Sequence, residues 1–213
     1  MHRLLVFALI FPALLRADDG GKAKEEMVEL KKFAPRIVIE LRYATWHNLA
    51  KRSVYPKNAR AFLRKGVAQR LLDAQDWLDT HAPKGTRLKI WDAWRPAWAQ
   101  KQLWSVLPNR EYLGDPNDGG SLHSWGACVD ATLVDVTGKD LKMPTDFDEI
   151  GPKSKTYYKG SDEVVKKNLY YLQASLSKAG FLVVRDEWWH FCARDWKEYA
   201  AIDLSISGDA VPE

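Results

Sequence analysis

Two short stretches hold most of the side chains that could do chemistry. "SLHSWGACVD" (121–130) sets His123 and Asp130 seven residues apart with Gly126 between them, and "EWWHF" (187–191) sets Glu187 three residues before His190. Of the five histidines, His47 and His81 lie among polar neighbours, whereas His123 and His190 each open or lie on an apolar run next to carboxylates. Zinc takes nitrogen and oxygen ligands, and a catalytic zinc keeps three protein ligands and one open position. His123, Asp130 and His190 supply such a set. Glu187 would then stand beside the ion without binding it, placed to hold a water. Alone, each stretch is more often structural, a His–Asp pair in the first case and an aromatic core strand in the second. Together they make a candidate metal centre.

Positioning such a set requires particular elements. "ACVDATLVDV" reads as a strand carrying Asp130, followed by a hairpin turn at "TGKD". Gly126 could let the preceding loop fold back and aim His123 at the same ion. "FLVVR" and "WWHFCA" read as two strands with Asp186 and Glu187 at the bend. "RIVIELRYAT" alternates around Ile37, Ile39 and Leu41, and "RLKIWDAW" reads as a further strand. Val67, Leu71, Ala74 and Leu78 fall at helical spacing, giving a helix over about 60–80; a second follows Pro96 at about 97–107. Ser161 can cap a third helix, with Val165, Leu169, Leu172 and Leu176 on its apolar face and Gly180 at its end. "LPNREYLGDPNDGG" is a long loop that runs into Ser121 and His123, and long loops in compact domains are often functional. Residues 18–32 are polar and read as a loose arm. Strands and helices mix without strict alternation, so the expected class is α+β around a mostly antiparallel sheet that carries the site, with flanking helices.

The first residues have a separate logic. "MHRLLVFALIFPALLRADDGG" has a basic Arg3, an apolar run from Leu4 to Leu15, a small residue at Ala17 and acidic residues beyond. That is the layout of a secretory signal peptide over residues 1–17, leaving 18–213 as one domain that carries the candidate zinc centre. The run is shorter than the roughly 20 apolar residues that span a bilayer. The expectation is an exported protein, periplasmic or extracellular, with no stable membrane association after cleavage. Losing Arg3 and Arg16 lowers the formal net charge from +4 to about +2, and the basic residues are scattered. Nucleic acid is therefore not an expected partner. The two cysteines, Cys128 and Cys192, are too few for a disulfide scaffold or a cysteine-based zinc module. They are left open between a disulfide and buried thiols. The ten tryptophans point to a heavily aromatic core.

The residues also carry a family resemblance. "SLHSWGACVDATL" resembles the SxHxxGxAxD motif of zinc D-alanyl-D-alanine dipeptidases of the vancomycin-resistance type, except that Cys128 and Val129 follow Ala127. "EWWHF" resembles their ExWH motif, "RYATWHN" their N-terminal RYAT-W-x-N stretch, "WDAWRP" their WD-x-YRP segment and "DFDE" the loop after the first zinc strand. The likeness runs in order from about Arg42 to Arg194. It implies one zinc ion on His123, Asp130 and His190, with Glu187 as general base and then acid. It implies that Arg95 stabilises the transition state, that Ser121 and Tyr43 contact substrate, and that Asp148 holds the substrate ammonium. Three departures bear on substrate shape: Trp94 replaces a tyrosine, Trp125 replaces a common arginine, and Leu49-Ala50 breaks a glycine-containing segment.

The expected activity is hydrolysis of a small D,D-dipeptide, D-alanyl-D-alanine, in cell-wall peptide turnover. Resistance chemistry would require a cytoplasmic enzyme, which export does not give. Two alternatives share the zinc motifs: a D,D-carboxypeptidase trimming peptidoglycan stems, and a non-catalytic hedgehog-like zinc-binding module. Glu187 and Arg95 argue against the latter, since a binding module needs neither. Arg95 has a structural alternative as well, a salt bridge to Asp92 three residues back.

Overall fold

The computed structural model describes residues 25–202, so the signal peptide expected over 1–17 lies outside the described residues. Strand β5 (Cys128–Val134) is buried at all seven positions. Its sequence, CVDATLV, is rich in the β-branched and apolar residues that suit a strand covered on both faces. It is the central strand of a five-stranded sheet. The others are β2 (Val38–Ile39), β4 (Arg87–Asp92), β6 (Phe181–Val184) and β7 (Glu187–Ala193), in the order β2-β4-β5-β7-β6. Only the β2–β4 pair is parallel; β4–β5, β5–β7 and β6–β7 are antiparallel. The fold is α+β with a mostly antiparallel sheet, as expected.

Helices α2 (Lys65–His81) and α4 (Glu163–Lys178) pack on each other and on the sheet. Leu71 and Leu78 of α2 and Leu172 and Leu176 of α4 are fully buried at helical spacing. Each such leucine contributes about 1.5–3 kcal/mol relative to exposure. Helix α3 (Ala97–Val106) starts directly after Pro96, near the expected bounds. Beneath the site lies an aromatic cluster. Trp91 meets Trp188 at 5.7 Å and Phe147 at 5.3 Å between ring centroids, and Trp188 meets Trp189 edge-on at 5.4 Å.

Several local expectations are corrected. The strand expected from Arg36 to Thr45 is only Val38–Ile39, and Arg42–Ala44 form a 3₁₀ turn. Side chains take over there: Asn48 Nδ2 donates to the carbonyls of Arg42, Thr45 and Arg52, while Thr45 Oγ1 donates to Arg42 O. The described part of the arm is not loose. β1 (Met27–Glu29) pairs antiparallel with β3 (Phe62–Arg64), and the short helix α1 (Leu30–Phe33) buries Leu30 completely. β3 occupies the start of what periodicity alone assigns to α2. The cap of α4 is Asp162, whose carboxylate accepts from the backbone of Val164 and Val165, rather than Ser161. Gly180, at φ +93, follows the helix as expected. The two cysteines form a disulfide.

Loss of the α4 cap is measurable. Asp162→Ala should destabilise the protein by about 1 kcal/mol in urea denaturation, while Ser161→Ala should change it little. Equal losses at the two positions would put the cap elsewhere.

Candidate active site

Three accidents of strand pairing bring the chemistry together. In the β5–β7 ladder, Asp130 lies directly opposite His190. In the β4–β5 ladder, the register shifts after Ile90, so that Asp92 faces Asp130. A bulge of this kind re-aims side chains and is common beside active sites. In the β6–β7 ladder, pairing jumps from Val183–Phe191 to Val184–Glu187, which breaks the alternation. Glu187 and His190, three residues apart, therefore meet, with Glu187 Oε2 3.2 Å from His190 Nδ1.

His123 arrives from the other side. It sits in a 3₁₀ turn, Leu122–Trp125, that runs into β5. Ser121 caps this turn, its hydroxyl accepting from His123 N at 3.2 Å. Gly126 closes the turn at φ +68, a left-handed conformation that glycine adopts without strain. A Cβ there would lie 3.0 Å from Met27 Sδ. His123 Nδ1 is 2.7 Å from Ala93 O, which fixes the proton on Nδ1 and leaves Nε2 as the lone-pair atom.

The resulting trio is tight. His123 Nε2 is 3.4 Å and His190 Nδ1 is 3.5 Å from Asp130 Oδ1. His123 Nε2 and Asp130 Oδ1 are both buried without a hydrogen-bond partner. Unpartnered buried acceptors are costly and uncommon. These two converging with His190 Nδ1 fit a divalent cation, and the donor set of two nitrogens and one carboxylate oxygen is one that zinc accepts. The Asp130 carboxyl responds to the same surroundings. Burial works against its charge, but His123, His190 and Arg95 outweigh burial and hold it below the usual range.

Arg95 is both structural and part of the site. Its guanidinium donates through Nε to Asp92 Oδ2 at 2.9 Å and through Nη1 to Gln100 Oε1 at 2.8 Å, and Nη2 lies 3.6 Å from Asp130 Oδ2. It thus stands between two carboxylates that face each other across the ladder and would otherwise repel. The Tyr43 ring packs on it at 4.9 Å. Burial opposes its charge, but Tyr43, Asp92, Tyr55 and Asp130 more than compensate, so the guanidinium remains charged.

A cavity of about 230 Å³ opens over these groups. Tyr43, Arg95, Ser121, Asp130, Asp148, Glu187 and His190 line it, and His123 lies fully buried behind its wall. The eight residues singled out from the sequence are thus gathered at one place. Asp148 differs from its acidic neighbours: Asp146 and Glu149 are exposed, whereas Asp148 turns inward at φ +57. Its Oδ2 accepts from Leu49 N at 2.8 Å, and Tyr43 Oη makes a long contact to Oδ1 at 3.5 Å. Burial, with the charges of Glu187 and Asp130, pushes its pKa up to about 8. Of the three departures from the family pattern, Leu49 lines the cavity, whereas Trp94 and Trp125 do not.

Sequence reasoning missed the supports. Gln100 accepts from Arg95 and donates to Gly114 O at 2.6 Å, tying the guanidinium to the loop over the cavity. Tyr55 donates to the other oxygen of Asp92 at 2.8 Å. A polar residue on the buried stripe of α3, between Ala99 and Leu103, was the available signal for Gln100. No side-chain signal exists for the Ala93 carbonyl.

A family model described as D-ala-D-ala dipeptidase matches residues 23–204. The chain belongs to that family. It is an enzyme of the metallopeptidase class. A D-alanyl-D-alanine dipeptidase of Escherichia coli (strain K12) is 34% identical over 166 residues, covering 78% of this chain and 83% of the relative. One from Synechocystis (strain ATCC 27184 / PCC 6803 / Kazusa) is 35% identical over 105 residues, 44% of this chain and 40% of the relative.

The raised pKa of Asp148 has a measurable consequence for stability. An unfolded aspartate titrates near about 3.9. The folded state prefers the protonated form, so that preference stabilises fully below the unfolded value and is lost as pH rises through about 8. Asp148→Asn keeps the acceptor for Leu49 N and tolerates positive φ. In metal-free protein it should raise Tm little at pH 4 and progressively more toward pH 9. A gap independent of pH would contradict the burial of this carboxyl.

Proposed function

We propose that the chain is an exported zinc dipeptidase of one domain, residues 18–213, that hydrolyses D-alanyl-D-alanine in cell-wall peptide turnover. The observation that carries this reading is a single small cavity with a metal-type trio, a base and a guanidinium at one end and the inward Asp148 carboxylate among its walls. A free dipeptide presents an ammonium one residue from the scissile bond, and burying that charge calls for a carboxylate partner. Asp148, with the Tyr43 hydroxyl beside it, supplies one: its pKa is raised to about 8 in the free protein, and the incoming ammonium favours the ionised form. The activity named for the Escherichia coli and Synechocystis relatives agrees.

His123, Asp130 and His190 would hold the zinc, through Nε2, a carboxylate oxygen and Nδ1. When bound, zinc supplies Lewis acidity, lowering the pKa of a water from about 15.7 to about 7. Glu187, next to the trio, accepts the proton of the attacking water and returns it to the leaving nitrogen. Arg95 offers charged donors to the oxyanion of the tetrahedral intermediate; its anchors on Asp92 and Gln100 pre-set its direction, so little reorganisation remains at the moment of reaction. Ser121 holds the turn that aims His123 and borders the cavity where substrate would lie.

Export draws support from the sequence layout of residues 1–17 and from the Cys128–Cys192 disulfide, a bond that persists in oxidising compartments. Among the described residues, no helix is long and apolar enough to cross a membrane. Cell fractionation should yield a form starting near Asp18 outside the cytoplasm; a full-length cytoplasmic form would overturn export.

Substrate length is tested with zinc-loaded protein on three compounds. D-Ala-D-Ala should be cleaved, and its N-acetyl derivative and a stem pentapeptide should not. Efficient cleavage of either blocked compound would favour the D,D-carboxypeptidase. In the same assay, Glu187→Ala should lose about 10²–10⁴-fold in rate, the usual contribution of general acid–base catalysis, while retaining zinc. Loss of the metal would instead make Glu187 a ligand.

A further inference from the structure

The disulfide lies two pairs along the ladder from the metal pair, with Val129–Phe191 between them. Cys128 is directly opposite Cys192, and Asp130 is directly opposite His190. Residues two apart on a strand share a face, so both pairs lie on the same face of the sheet. The His190 ring stands between them, with Nδ1 3.5 Å from Asp130 Oδ1 and Nε2 3.2 Å from Cys192 Sγ. Cys192 borders the cavity, so an ion entering it can reach the sulfur. The hydrolytic chemistry uses neither sulfur. The ligand atoms of Cys128, His190 and Cys192 nevertheless all lie within 4.8 Å of one another, as do those of His123, Asp130 and His190.

We propose that the reduced chain holds a second metal site, built from Cys128 Sγ, Cys192 Sγ and His190 Nε2, that takes a thiophilic divalent cation and excludes the ion of the His123–Asp130–His190 centre. A dithiol reduces the bond by exchange: its two thiols become a disulfide, and two electrons and two protons pass to the cysteines. The cation then displaces both thiol protons and is held by two thiolates and one imidazole, a soft set that suits zinc or cadmium. Exclusion follows from the ring. A neutral imidazole has one lone-pair nitrogen. If Nε2 binds the ion among the sulfurs, Nδ1 carries the proton, faces Glu187 and Asp130 as a donor, and has no lone pair for the first centre. In the oxidised chain the sulfurs are only weak acceptors, and Nδ1 is free to ligate.

The disulfide is then a switch on the catalytic centre. This step rests on His190 being a ligand there. Joined to export, it keeps the chain silent in a reducing cytoplasm, where D-Ala-D-Ala is still a precursor, and active once it is oxidised outside.

The test is a cadmium titration of the protein, either oxidised or reduced with a dithiol and freed of it under nitrogen. It is followed by the ultraviolet thiolate-to-cadmium charge-transfer band. The reduced protein should show the band with one ion bound per chain, and the oxidised protein should show none. Cys128→Ser/Cys192→Ser should lack the band in both states. His190→Gln, reduced, should keep the band but bind cadmium at least about 10-fold more weakly, in line with loss of a ligand-shell contact. Reduced protein without a band, an affinity unchanged in His190→Gln, or two ions bound at once would each overturn the proposal. So would unfolding on reduction, read from a red shift of tryptophan emission. Failure of the dipeptidase reading would appear separately, as zinc-loaded oxidised protein that does not cleave D-Ala-D-Ala, and would leave the band unaffected.

Discussion

Asp130 is a carboxylate buried in the middle of a sheet, and its neutralisation organises the centre of the molecule. An unpaired charge there would be prohibitively expensive to desolvate. The chain surrounds it with His123 at 3.4 Å, His190 at 3.5 Å and Arg95 at 3.6 Å. Arg95 and His190 favour the ionised form, while Oδ1, facing the His123 Nε2 lone pair, is left without a hydrogen bond. A cation bound at that oxygen completes what the protein leaves unfinished. Stability and chemistry therefore meet at one side chain.

The surrounding structure follows from that constraint. The β4 bulge brings a second carboxylate, Asp92, opposite the first, and the Arg95 guanidinium between them relieves the repulsion. Asp92 is in turn held by Tyr55, and Arg95 by Gln100, so the guanidinium is fixed before any substrate arrives. Such preorganisation is what electrostatic stabilisation of a transition state requires. At the other strand, the Cys128–Cys192 bond sits two pairs from Asp130–His190 and links β5 to β7 where register matters most. A slip of one residue would turn His190 to the face opposite Asp130. Trp189 lines the cavity and packs edge-on against Trp188, so this polar centre borders the aromatic part of the core.

Much of this was legible in the sequence, for definable reasons. The apolar stripes of α2 and α4 and the dense β5 strand are local patterns, and each element appears near its expected bounds except at the start of α2, which β3 occupies. The site residues could be named because histidine and carboxylate next to apolar strands are unusual, and because the family resemblance tied the distant stretches together. Other features were hidden. β1 and β3 are three residues each, too short for alternation to register, and they exist because they pair with each other. The β2 strand ends early because Asn48, distant by several residues, claims the carbonyl of Arg42. The inward turn of Asp148 depends on a backbone amide of Leu49, and the tautomer of His123 on the Ala93 carbonyl. Backbone partners have no sequence signature. The disulfide could not be decided because the pairing register of β5 and β7 lies beyond single-sequence patterns.

The most direct measurement is anomalous diffraction at the zinc edge from crystals of the oxidised protein grown with zinc. One peak per chain is expected, at about 2.0–2.2 Å from His123 Nε2, an Asp130 carboxylate oxygen and His190 Nδ1, with Glu187 outside bonding distance. A peak bound by Glu187, or no peak at this centre, would contradict the metal site on which the catalytic reading stands.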